Sequence, residues 1–137
     1  MPASSVPDGW FCFQDVDLGS ESAPCVVAGV RGVFTVDAYA TADRVSSGRS
    51  GLAVSGRPAS DLIDIARRRA TALEAAIGAP VNPLIAFEAN EVEAGWSDDV
   101  HVAALGNLRS LLLHMDGRRT SWDELKRVRA VLRHLAT

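Results

Sequence analysis

Around residue 59 the spacing of apolar residues changes from a period of two to a period near 3.6, and no other feature constrains the fold as strongly. Before the change, Trp10–Leu18 ends in polar–apolar alternation, the mark of a half-buried strand. Cys25-Val26-Val27-Ala28-Gly29-Val30 is a nearly continuous apolar run, which suits a strand buried on both faces. Arg31-Gly32 turns the chain into a third β-rich run, Val33–Tyr39. A further pair around Ala42–Val45 and Leu52–Val54 flanks the turn-forming segment 46–51.

After the change, Ser60 is the expected N-cap of a long helix with Asp61 in its first turn. Leu62, Ala66, Ala70, Leu73 and Ile77 share one face, and Gly78 with Pro80 ends the helix. Asn82–Glu88 reads as a strand, Gly95–Asp99 as a loop and Val100–Ala104 as a short strand. Asn107 can cap a brief helix through Leu108, Leu111, Leu112 and Met115, which Asp116-Gly117 breaks. Ser121-Trp122-Asp123-Glu124 has the capping-box pattern and opens a final helix with Leu125, Val128, Leu132 and Leu135 on one side. Strands, a long helix, more strands and two helices define an α/β (α+β) domain with a mixed sheet flanked by helices. At 137 residues the chain suits one such domain over 10–137, preceded by a flexible N-terminus over 1–9.

A composition 47% hydrophobic and 23% charged excludes a disordered or disulfide-stapled chain. There is no apolar stretch of the length that crosses a bilayer, and the first nine residues lack the basic start and apolar run of a secretory signal. Cys12 and Cys25 lie in strand-like runs without metal-ligand spacing. Buried free thiols in a reducing cytoplasm are the expected state, with a disulfide as the alternative.

The net charge of −3 hides an uneven distribution. Residues 1–45 carry six acidic side chains against Arg31 and Arg44, and residues 109–137 carry seven basic ones against three acidic. The two ends can attract one another, within or between chains, or the basic end can face an anionic partner. Arg67-Arg68-Arg69 is expected to fan across the exposed side of the long helix. His101, His114 and His134 lie on different elements without zinc spacing. The chain has no G-x-S-x-G, Walker A or dinucleotide-binding glycine pattern, and Gly48-Arg49-Ser50-Gly51 reads as a hairpin turn. Trp10, Trp96 and Trp122 are expected to close core edges or anchor a partner.

Val26–Asp37, with its Gly29 and Gly32-Val33-Phe34 pattern, resembles the core hairpin of the nuclease-related domain family. Val45–Pro58 is similar to that family's second hairpin, Asp61–Ala70 to its long helix, Pro83–Phe87 to the next strand, and Val100–Val102 with Asn107–Leu112 to its last strand and helix. The resemblance covers residues 10–113 and implies a restriction-endonuclease-like core. In that superfamily an aspartate on one strand and an Asp/Glu-x-Lys on the next hold a divalent metal, which polarises the scissile phosphate and activates water.

Position by position, the first aspartate falls at Pro24, Asp37 matches the second carboxylate, Tyr39 stands where lysine is expected, and Ile65 where the helix often carries glutamine. The chain starts near the first core strand, without the N-terminal helix that often contributes a glutamate. The resemblance therefore implies a catalytically degenerate nuclease-related domain, a pseudoenzyme acting by self-association or on a protein partner, without a cofactor. One alternative is a divergent nuclease in which Asp37 shares Mg²⁺ with Asp15 or Asp17. Another is nucleic-acid binding without cleavage, including DNA binding, through Arg118, Arg119, Lys126, Arg127, Arg129 and Arg133.

Overall fold

The structure, a computed structural model, describes residues 9–47, 51–97, 99–114 and 121–136. It is a mixed α/β domain. Among the described residues, ten strands run in chain order as β1 (Phe11–Asp17), β2 (Ser22–Gly29), β3 (Gly32–Ala40), β4 (Arg44–Ser46), β5 (Ala53–Val54), β6 (Arg57–Pro58), β7 (Val81–Glu88), β8 (Glu91–Val92), β9 (Gly95–Ser97) and β10 (Val100–Ala104). The α-helices of the described residues are α1 (Ser60–Ile77) between β6 and β7, then α2 (Leu108–His114) and α3 (Trp122–Leu135). The main sheet has the order β1-β2-β3-β7-β10-β9, and a small sheet the order β6-β5-β4-β8. β1, β2 and β3 form an antiparallel meander, whereas β3 pairs in parallel with β7 and β7 with β10. Among the described residues no helix is long and apolar enough to cross a membrane.

Alternation along the strands sorts side chains between two faces. Val26, Ala28 and Val33 pack with Ala70, Leu73 and Ile77 of α1 and with Leu125, Val128 and Leu132 of α3. Val27, Phe34, Val36, Leu84 and Ala86 meet Leu108 and Leu112 of α2 on the other face. A third cluster joins the small sheet to the start of α1 and to Ile85, Phe87, Val100 and Val102. β7 is buried from Val81 to Phe87, as a central parallel strand requires. Its Pro83 pairs with Thr35 of β3 but precedes the first β10 partner, Leu84, so the proline has a strand neighbour on one side only.

The ends of α1 show how distant segments support it. Ser60 is the helix's first residue rather than its cap; Ala59 takes that place with no side-chain cap. The Ala59 N–H bonds the Leu52 carbonyl at 2.9 Å, which ties residue 59 to the small sheet and starts the helix there. Ile63, rather than Leu62, begins the buried stripe. At the far end Gly78 adopts φ +65°, a left-handed conformation that favours glycine. Arg127 of α3 donates to the Ile77 carbonyl and, at 3.2 Å, to that of Gly78. A guanidinium there satisfies carbonyls the helix leaves unpaired and complements its negative end. Ser121 caps α3 as the capping box implies, accepting from the Glu124 N–H at 3.1 Å. The expected turn at Gly48-Arg49-Ser50-Gly51 falls largely outside the described residues, as does the N-terminal segment before the first strand. Met115, Asp116 and Gly117 lie wholly outside them.

Gly29 closes the β2–β3 hairpin under the ring of Trp10. A Cβ built there would lie 2.5 Å from the indole, which itself packs on Phe34 with centroids 5.7 Å apart. Gly29→Ala is therefore expected to destabilise by about 1–3 kcal/mol through overpacking. Urea melts compare the variant with the parent, and Gly29→Ala in a Trp10→Ala background should regain most of the loss.

Candidate functional site

Asp37 of β3 points to the α1 side of the main sheet, one residue after Val36 points to the α2 side. Its side chain is 1% exposed, and its Oδ1 accepts a hydrogen bond from Arg69 Nη1 at 2.8 Å. Arg69 overturns the expectation that the arginine run fans across solvent. It stands three residues after Ala66 and four before Leu73, on the flank of the buried stripe. The small Ala66 and Ala70 beside it leave room for its aliphatic stem to lie against the sheet while the guanidinium reaches Asp37. Arg67 and Arg68 do face outward, bonding Asp99 at 2.7 Å and Glu21 at 2.9 Å.

The pair is incompletely satisfied. Asp37 Oδ2 and Arg69 Nε are buried without a hydrogen-bond partner among the described residues. Burial pushes the Asp37 carboxyl above its ordinary range, while the bond to Arg69 and its charge pull it back. Tyr39, two residues along the same face, is half-buried against Phe87. Its phenol is raised by burial first and by the Asp37 charge second, so it stays neutral at physiological pH. The positive charge beside Asp37 thus comes from α1, not from the strand position where a lysine was expected.

Asp15 and Asp17 are not brought to Asp37. Both are exposed on β1, an outer strand of the sheet, and β2 lies between β1 and β3. Two strand spacings amount to about 10 Å. Asp17 instead accepts the Gly19 N–H at 2.9 Å, and Asp15 has φ +50°. Pro24 is exposed on β2, and Ile65 is half-buried on α1. Among the described residues no three His, Cys, Asp or Glu side chains are grouped to hold a metal ion.

The basic residues of the last helix divide. Arg127 is committed to the end of α1, and Arg129 stacks on Phe11 of β1 with its guanidinium carbon 3.9 Å from the ring centroid. Lys126 lies over Trp122, 5.8 Å from the ring centroid, and Arg133 is exposed. Arg118 and Arg119 lie outside the described residues. Among the described residues, the attraction expected between the acidic start and the basic end includes no Asp15 or Asp17 ion pair; α3 meets β1 through the Arg129–Phe11 stack, apolar contacts and the bridge from Val16 to Ala136.

A second feature went unread in the sequence. Gly95-Trp96-Ser97, expected to be loop, forms β9 by pairing back on β10, with Trp96 opposite His101. The seven-residue α2 leaves this side of the sheet partly uncovered, and a cleft of about 660 Å³ opens between them. Trp96, His101, Asn107, Ser110, Leu111 and His114 line it. The Trp96 ring is half exposed and meets His101 edge to face, with centroids 4.7 Å apart. Burial lowers the His101 pKa, so its ring is neutral at physiological pH. The signal was the alternation Val100-His101-Val102, which sends the histidine away from the face its valines occupy.

Fold and site together define a mixed α/β domain with a carboxylate–guanidinium pair closed inside it and an aromatic cleft at one sheet edge. No protein-family model matches the chain, and neither the curated proteins nor the solved structures compared with it give a match.

Proposed function

We propose that this chain is a binding domain rather than a working nuclease: a catalytically degenerate nuclease-related domain that self-associates or engages a protein partner. The observation that carries the reading is Asp37, 1% exposed and held at 2.8 Å by Arg69. A metal ligand needs an open coordination direction and companion carboxylates; Asp37 is instead paired with the half-buried Arg69. Pro24 and Tyr39 supply neither a second carboxylate nor a cation, so phosphodiester cleavage has no local means of activating water. The exposed side chains that favour a macromolecular partner are Trp96 at the β9 edge, Leu113 on α2 and Trp122 on α3. A cytoplasmic setting accords with the two free thiols.

Incubation with duplex and single-stranded DNA and RNA, in Mg²⁺ or Mn²⁺, is expected to give no cleavage above background. Calorimetry should show no stoichiometric metal binding, and light scattering over a concentration series should show self-association or capture that Trp96→Ala weakens. Metal-dependent cleavage abolished by Asp37→Ala would overturn the proposal in favour of the divergent nuclease. Nucleic-acid binding that falls steeply with salt and is lost in a Lys126→Ala, Arg133→Ala double variant would overturn it in favour of the nucleic-acid reading.

A further inference from the structure

The two cysteines meet on the α2 side of the main sheet. Cys12 of β1 lies opposite Val27, and Cys25 of β2 lies opposite Gln14, so the cysteines are diagonal neighbours across the antiparallel pair. Their sulfurs are 3.8 Å apart, and both are free thiols. A disulfide bond is about 2.05 Å long, so closure requires the sulfurs to approach by about 1.8 Å. β1 is an edge strand, bridged on its outer side at Val16, beyond Cys12, and has a residue in the left-handed region at Asp15, three positions on; the stretch around Cys12 can shift more readily than a strand paired along both sides. The two positions also differ in access: Cys12 is half-buried, while Cys25 is buried.

We propose that Cys12 and Cys25 form a reversible oxidation site, in which a hydroperoxide oxidises Cys12 and Cys25 then closes a disulfide joining β1 to β2. This inference stands apart from the binding role argued above. In the first step the Cys12 thiolate attacks a peroxide oxygen; an S–O bond forms, the O–O bond breaks, and the departing oxygen takes a proton. Cys12 is then a sulfenic acid. In the second step the Cys25 sulfur displaces the sulfenic oxygen, which leaves as water with the Cys25 proton. Two thiols and one molecule of hydrogen peroxide thus give one disulfide and two waters, the two electrons passing from the sulfur pair to the peroxide.

Surroundings match these roles. The hydrogen bond with Cys25, against the opposing effect of burial and with help from Gln14 Nε2, which donates to the Cys12 sulfur at 3.4 Å, lowers the Cys12 thiol to about 6. Cys25 is raised, chiefly by its hydrogen bond to Cys12, then by burial and by the Cys12 charge. Oxidation of Cys12 removes that charge, releasing Cys25 for the second step only after the first has occurred.

The full-length protein, reduced and then treated with one equivalent of hydrogen peroxide, is expected to lose two hydrogen atoms in intact mass. It should also lose both alkylatable thiols and yield a peptide pair joined through Cys12 and Cys25; dithiothreitol should restore it. Alkylation of Cys12 by iodoacetamide should reach half its maximal rate near pH 6. Cys25→Ser should halt at a sulfenic acid on Cys12 that dimedone traps. Cys12→Ser should leave Cys25 at least about tenfold less reactive. Two thiols still alkylatable after peroxide, a disulfide between two chains, or sulfinic acid accumulating at Cys12 would each overturn the proposal. The wild-type mass and alkylation measurements need no variant, so they decide the matter whether or not the serine variants fold.

Discussion

Arg69→Met is expected to lose about 3–5 kcal/mol of folding stability at neutral pH, the cost of leaving a buried carboxylate without its cation. The loss should shrink in acid. Asp37 already titrates above its ordinary value of 3.8 because burial disfavours its charge, and Arg69 is what restrains that rise. A folded-state pKa above the unfolded one means that the folded protein holds the proton more tightly. The associated stability is fully present below pH 3.8 and disappears as pH climbs through the folded value. Without Arg69 the folded value moves higher still, so the variant's stability should fall with rising pH over a wider window than the parent's. Urea melts at about pH 4 and about pH 7 check the sign. A penalty equal at both pH values would show that Arg69 stabilises by packing alone. Replacing both partners, Asp37→Leu with Arg69→Met, should recover most of the loss, since an apolar pair of similar volume leaves no uncompensated charge.

Phe34→Ala should cost about as much, about 3–5 kcal/mol, for an unrelated reason. Phe34 has no exposed surface, and it fills the space between β3 and α2 among Val27, Val36, Leu84, Leu108 and Leu112. Among the described residues this face is covered by one helix of seven residues, which leaves few neighbours to collapse into the gap. The Tm should drop on the order of 10–20 °C, read by calorimetry or circular dichroism. Trp10 leans on the same ring, and a double-mutant cycle between the two should show coupling of about 0.5–1.5 kcal/mol. Additive losses would mean that Trp10 is held by Gly29 and its strand alone.

Local chemistry made much of this architecture readable in advance. The change of period separated the meander from α1. The positive φ at Gly78 and the Ser121–Glu124 box fixed helix ends through interactions only a few residues long. Elements whose identity depends on remote partners were harder to read. Gly95–Ser97 is a strand because it pairs with β10, and the two-residue β8 exists only as a neighbour of β4. Ser60 lost the capping position because Ala59 is tied to Leu52, the residue just before β5.

The candidate site follows the same division. Alternation along β3 places Asp37 and Tyr39 on one face, and helical spacing from Ala66 and Leu73 sets Arg69 on the flank of the buried stripe, but that spacing does not say what its guanidinium meets. Its direction follows from a carboxylate 32 residues earlier. Likewise the cleft at Trp96 and His101 comes into being only when β9 folds back and α2 proves too short to cover it.

The parallel pairing of β3 with β7 bears on how this chain reaches its native state. Every pair along it, from Val33 with Val81 to Ala40 with Glu88, spans 48 residues, among them three strands of the small sheet, β4, β5 and β6, and all of α1. The β2–β3 hairpin can close from neighbouring residues within microseconds. The centre of the sheet must wait until a long loop has been drawn together, at an entropic cost repaid only after docking. Topology of this kind slows folding relative to helical bundles of equal length. Until β7 arrives, the apolar flank of β3 remains an open template, and the rate of that one encounter governs how long the nascent chain is exposed to aggregation.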